Sequence, residues 1–209
     1  MSANSDALLQ VRDLVVEFST HAGTVKAVSG VTFDLAHGET LALVGESGCG
    51  KSTIARAVLQ LPRPTSGSVK LEGEELTGLS GGQMRAVRRK LQIIFQDPIA
   101  SLNPRMTVGQ IVEAPLKATG IMPDAKARKA RVEEMLEAVG LDPSVAVDKR
   151  PHEFSGGQCQ RISIARALIL EPEVLVCDEP VSALDVSIQA QILNLLADMK
   201  DRYALRMLF

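Results

Sequence analysis

The chain has 209 residues, 45% of them hydrophobic and 23% charged, which suffices for one globular domain with its own core and a subdomain. A net charge of -2, no Trp, one Tyr and five Phe exclude a protein built to coat nucleic acid or stack bases. Cys49, Cys159 and Cys177 stand too far apart for a metal-ligand pair or a disulfide framework, so they read as small packing residues in a reducing compartment.

In chain order, "MSANSDALLQ" lacks the basic and apolar regions of a leader, and no apolar run is long enough to span a bilayer, so a cytoplasmic protein is expected. "LLQVRDLVVEF" and "VTFDL", the latter with Val31, Phe33 and Leu35 on one face, predict an antiparallel β region, and "HGE" a turn. "TLALV" (Thr40 to Val44) predicts a strand buried on both faces. A helix is expected from Lys51 through "STIARAVLQL" to the breakers Pro62 and Pro64, then a short strand around "SGSVKL" and a buried strand over Leu91 to Gln96.

Residues 97–153 change character, with Pro98, Pro104, Pro115, Pro123, Pro143 and Pro151 dividing helices and loops into an inserted helical subdomain. Its clearest helix carries Val132, Met135, Leu136 and Val139 at helical spacing, with Gly140 as its stop. Beyond it come a helix over "QRISIARALIL", a buried strand over "EVLVCDE" and a helix over "VSIQAQILNLLADMKDRY". The architecture is α/β, with one insertion.

"GESGCGKST" (Gly45, Glu46, Ser47, Gly48, Cys49, Gly50, Lys51, Ser52, Thr53) fits G-x-x-x-x-G-K-[ST] between a predicted strand and a predicted helix. Glycines let the backbone amides and the helix N-terminus face a polyanion. Lys51 would set a point charge on β/γ-phosphates, and Ser52 would place a hydroxyl on Mg²⁺, a hard cation that prefers oxygen. Carboxylates decide the chemistry: Asp178 and Glu179 end an apolar strand, Asp178 suiting the Mg²⁺ shell and Glu179 a base that orients an attacking water. Gln96, at another strand end, can reach the metal or that water.

Two pentapeptides compete for one more role, "LSGGQ" at Leu79 to Gln83 and "FSGGQ" at Phe154 to Gln158. Either can open a helix and present amides to an anion. Only the second is followed by a helix and then the strand of Asp178 and Glu179.

Together "GESGCGKST", "IIFQDPIASLNPRMTV", "FSGGQCQRISIARAL" and "VLVCDEPVSALD" resemble the ATP-binding subunits of ABC importers, the oligopeptide, dipeptide and nickel group in particular, over nearly the whole chain. The resemblance implies a P-loop NTPase domain over residues 8–209 with the helical subdomain at 97–153. It makes Gly45–Thr53 Walker A, Gln96 the Q-loop, Ser155, Gly156, Gly157 and Gln158 the signature, Asp178 and Glu179 Walker B, and Ser182–Asp185 the D-loop. Phe18 matches the adenine-stacking position, and Leu79–Gln83 becomes a coincidental surface loop.

It further implies ATP with Mg²⁺, a head-to-tail partner ATPase subunit with each ATP between Walker A and the opposite signature, and membrane-spanning permease subunits fed by a solute-binding protein. The place would be the inner face of the cell membrane. Cys159, Ile99 and Arg150 depart from the family's usual residues. "LRMLF" matches the start of the strand expected between the Walker A and Walker B strands and ending in a switch histidine, a motif that none of His21, His37 and His152 matches. The alternative expectation is therefore a nucleotide-binding fragment with little hydrolysis. A third reading, an ATPase acting on nucleic acid, rests on Arg88–Lys90 and Lys126–Arg131, which suit a solvated helix face better.

Overall fold

The computed structural model describes residues 7–21 and 23–209. The first six residues of the stretch inspected for a leader lie outside them. Two compact units emerge, residues up to 88 with 206–209, and residues 89–205.

In the first unit, β1 (Leu9–Thr20) pairs antiparallel with β2 (Gly23–Leu35) on one side and β4 (Ser66–Leu71) on the other; β5 (Glu74–Glu75) completes the order β2-β1-β4-β5. Alternation in β1 turns Leu9 and Val11 inward, and a register shift between Val11 and Leu14, with Asp13 at φ 46, resets the phase so that Leu14 and Val16 face inward too; each is buried. Register shifts along the β1–β2 ladder bend this sheet. β3 (Thr40–Leu41) runs parallel to β8 (Arg206–Leu208), so "LRMLF" does lie beside the strand that leads into the glycine loop.

Here the structure corrects the sequence. β3 is two residues long, Ala42 is exposed and Val44 is 94% exposed, so Thr40 to Val44 is not buried on both faces. The physical reason is the short ladder: only Thr40 and Leu41 find register partners, and beyond them only the Leu43 amide reaches the Phe209 carbonyl, at 2.7 Å.

α1 (Lys51–Val58) follows, ending before the Pro62 breaker because Leu59 and Gln60 turn back onto Arg56 and Ala57. α2 (Gly81–Lys90) buries Met84 and Val87. Its start corrects a second expectation. Ser80–Gln83 is exposed, as a surface position should be, but it is a helix start and not a loop: Leu79 is buried, and Ser80 exchanges hydrogen bonds with Gln83 to cap the helix.

In the second unit, β6 (Leu91–Ile94) and β7 (Val174–Cys177) form a parallel pair, β7 buried at every residue. Between them in sequence come α3 (Pro98–Ser101), α4 (Val108–Thr119), α5 (Ala125–Ala138), α6 (Pro143–Ala146), a 3-10 turn (Pro151–Glu153) and α7 (Gly156–Leu168); α8 (Val186–Tyr203) follows β7. Side-chain caps at Asp97, Thr107, Asp124 and Asp142 start α3 to α6, which is why the proline-rich stretch still forms discrete helices. α5 buries Val132, Met135 and Leu136 as its spacing predicts, and Gly140 takes the positive φ of a helix stop.

Cys159 and Cys177 are buried packing residues whose thiols burial pushes up. Cys49 is exposed on the glycine loop, contrary to its reading as a packing residue.

Candidate functional site

The phosphate-type loop belongs to the first unit. Gly50, at φ 101, is the N-cap of α1, and a Cβ there would stand 2.5 Å from the Ala27 carbonyl oxygen on β2. Only glycine fits. Gly48 also has positive φ, and a Cβ on Gly45 would meet the Cys49 Sγ at 2.5 Å. This exposed turn leads into a helix whose Ile54 amide donates to the Gly50 carbonyl at 2.9 Å. Helix geometry directs the amides ahead of Ile54 out of the helix end. The Lys51 ammonium donates to the carbonyls of Gly45 (2.9 Å) and Glu46 (3.0 Å), folding over the loop that bears it. A cation held over a glycine-rich turn that opens a helix N-terminus is suited to phosphate.

Phe18, on β1 opposite Val25, is 41% exposed and so is not a core aromatic. An exposed ring on a rigid strand is available for stacking.

Asp178 and Glu179 belong to the second unit. Asp178 is 3% exposed, and its amide donates to the Ile94 carbonyl at 3.0 Å, extending the β6–β7 ladder to the functional pair. Glu179 stands at φ 47, the left-handed region, which costs a side-chain-bearing residue of order 1–3 kcal/mol unless its surroundings hold it. The Ser182 amide and hydroxyl both donate to the Glu179 carbonyl, at 3.2 and 3.1 Å, closing the turn that fixes this conformation. On the side-chain end, Gln96 Nε2 donates to Glu179 Oε2 at 3.1 Å. The fold thus joins Gln96 and Glu179, 83 residues apart, so that a neutral amide orients the carboxylate without supplying it a proton.

The second SGGQ stretch starts α7. Ser155 Oγ accepts from the Gln158 amide at 3.3 Å, and the Gln158 side chain accepts from the Ser155 amide at 3.0 Å, a reciprocal cap. A Cβ on Gly157 would lie 2.6 Å from Ile188 Cγ2 and one on Gly156 3.5 Å from Leu184 Cδ2, whereas Gly81 and Gly82 at the first stretch have nothing within 4 Å. The caps are the same; only the surroundings differ. Asp185 is exposed at the N-cap of α8 without a side-chain cap bond.

One cluster escaped the sequence reading. Arg166, inside α7, donates to the Ser101 carbonyl (2.5 Å) and hydroxyl (3.3 Å), and Ser163 Oγ lies 3.2 Å from Ser101 Oγ. Burial lowers the Arg166 pKa. The available signal was an arginine within the apolar "ISIARALIL", which needs acceptors from elsewhere in the fold.

A family model described as "ABC transporter" matches residues 28–182. The chain belongs to the ABC transporter family. It is 52% identical to the oligopeptide transport ATP-binding protein OppF of Escherichia coli (strain K12), over 97% of this chain and 63% of that protein. With the putative oligopeptide transport ATP-binding protein YkfD of Bacillus subtilis (strain 168) it shares 54%, over 97% and 61%. The chain therefore spans somewhat under two thirds of the length of these relatives. Among solved ABC structures, the dimeric post-hydrolysis state of the ATP-binding cassette MJ0796, bound to ADP and Pi, superposes with a TM-score of 0.85 at 28% identity, covering 96% of this chain and 86% of that one. CbiO1 from Clostridium perfringens, part of the ABC transporter complex cbiONQ, gives 0.80 at 29%, covering 97% and 77%. The α/β fold is that of the ABC cassettes. Among the described residues no helix is long and apolar enough to cross a membrane.

Proposed function

We propose that the chain is an ATP-binding and ATP-hydrolysing subunit that energises import of peptides, or a related small solute, through partner membrane subunits. The observation that carries the reading is the Lys51 ammonium held over the carbonyls of Gly45 and Glu46, in a loop whose Gly50 tolerates no Cβ. Likeness to oligopeptide transport ATP-binding proteins supports the solute class.

In this reading the amides of Gly45–Thr53 and Lys51 bind the ATP phosphates, and Phe18 stacks on the adenine. Ser52, Gln96 and Asp178 supply the hard oxygen donors suited to Mg²⁺. When bound, Mg²⁺ neutralises charge on the transferring phosphate. Glu179, fixed by Ser182 and oriented by Gln96, orients the water that attacks the γ-phosphate. Ser155–Gln158 presents a second anion-binding helix start to the ATP of a head-to-tail partner subunit, and Asp185, the exposed N-cap of α8, serves the same nucleotide. The subunit acts at the inner face of the membrane, docked on permease subunits that a solute-binding protein supplies.

Replacing Glu179 with Gln tests the reading: Mg·ATP binding is expected to persist while phosphate release in the assembled transporter falls about 10²–10⁴-fold. Hydrolysis at the parent rate would remove Glu179 from the role of base.

A further inference from the structure

Four polar or charged residues are buried among the described ones, and α7 holds two of them, Gln160 and Ser163, each fully buried. Ser163 has its partner in Ser101. Gln160 has none: neither Oε1 nor Nε2 makes a hydrogen bond. A buried amide without partners is among the more costly features a core can carry. An unpaired polar group in a native core calls for an explanation in what the protein does.

Its place indicates which arrangement. Gln160 and Ser163 stand three residues apart on one face of α7, and that face receives Ser101, the last residue of α3. α3 is capped by Asp97, the residue after Gln96, so the segment from Gln96 to Ser101 is a short rigid arm from strand end to α7. The arm is anchored at its far end by Arg166 and Ser163 and tethered at its near end through the Gln96–Glu179 bond. The helix carrying the unsatisfied amide is the one that begins at Ser155–Gln158.

We propose that Gln160 is a positioning residue for Gln96. Its amide hydrogen-bonds the backbone of the 96–101 arm when that arm reseats on α7 as nucleotide binds, and so couples Gln96 to the SGGQ helix start. The inference rests on the proposed ATP chemistry. It explains why a polar side chain occupies a core position that an apolar one would fill at lower cost.

The test is Gln160→Met, close in shape and without the amide, in the full chain. Three quantities are compared with the parent: melting temperature, ATP affinity by calorimetry, and ATP-dependent amide hydrogen exchange over 96–102 and 155–163. The expected result is an equal or higher melting temperature and unchanged ATP affinity. In the parent, ATP raises protection over 96–102; in the variant that rise is lost. A structural role alone would not separate these readouts. A clearly lower melting temperature would show the amide already partnered in the resting fold and overturn the proposal, as would parent-like protection in the variant. ATP binding by the parent without any change over 96–102 overturns the inference only. Absence of ATP binding by the parent overturns the functional reading, and the inference with it.

Discussion

Replacing Gly with Ala at equivalent positions of the two SGGQ stretches should change stability with opposite sign. Gly82 and Gly157 follow the same Ser-Gly dipeptide, precede the same Gln, and stand in the first turn of a helix with a reciprocal cap. Neither has a positive φ, so Ala is compatible with the backbone at both. At Gly82 the new Cβ meets nothing within 4 Å, leaving the gain from a stiffer unfolded chain, about 0.4–1 kcal/mol. At Gly157 the same gain is opposed by a Cβ 2.6 Å from Ile188 Cγ2 and 3.9 Å from Ile188 Cβ. Isoleucine in a helix has essentially one χ1 rotamer, so its methyl cannot swing aside and α7 or α8 must shift, an overpacking cost of about 1–3 kcal/mol. The two variants should therefore differ by about 1–3 kcal/mol, or roughly 2–12 °C in melting temperature for a chain of this size. Urea titration measures the difference directly, provided the slope is unchanged. Equal stabilisation by both substitutions would refute the close approach of Gly157 to α8, and with it the structural ground for separating the two stretches.

Thiol chemistry should also divide the chain: Cys49 is exposed, and Cys159 and Cys177 are buried with thiols pushed up by that burial. One thiol should react quickly in the native chain and three in denaturant, with ATP slowing the fast one; a second fast thiol in the native chain would contradict the packing of α7 or β7. Glu113 gives a pH prediction. Burial opposes its ionisation, but hydrogen bonds from Lys117 and Arg128 prevail and hold its pKa below the usual carboxylate range. A depressed carboxylate contributes stability that is complete above its unfolded pKa, about 4.3, and is lost as pH falls through the lower folded value. The stability gap between parent and Glu113→Gln, on the order of 1–3 kcal/mol at neutral pH, should thus narrow only below about pH 4.3. A gap that narrows between pH 8 and 6 would assign the effect to another group.

What the sequence made legible is what local spacing controls. The glycine loop, the helix it opens, β7 and α8 follow from short patterns whose physics is complete within a dozen residues, and the structure places α8 over the residues the pattern marked. Where neighbours distant in sequence decide, the reading failed. "TLALV" looked like a doubly buried strand because its residues are apolar, yet burial depends on how far its ladder extends, and β8 pairs with only two of them. The Glu179 carboxylate is oriented by Gln96, 83 residues away, which no motif spacing encodes. The half-buried seam of Ser101, Ser163 and Arg166 spans more than 60 residues of sequence, so only the fold reveals why "IARAL" carries an arginine. For the two SGGQ stretches, capping chemistry is the same by sequence and by structure, and the distinction lies in Ile188 and Leu184.

The central claim is that Gly45–Thr53 is a nucleotide phosphate site with Lys51 as its cation. Calorimetric titration of Mg·ATP into the parent chain and into Lys51→Ala tests it most directly. Saturable binding is expected for the parent and loss of useful affinity for the variant, because the substitution removes the charge that Gly45 and Glu46 hold over the loop. Equal binding by the two chains would contradict the account.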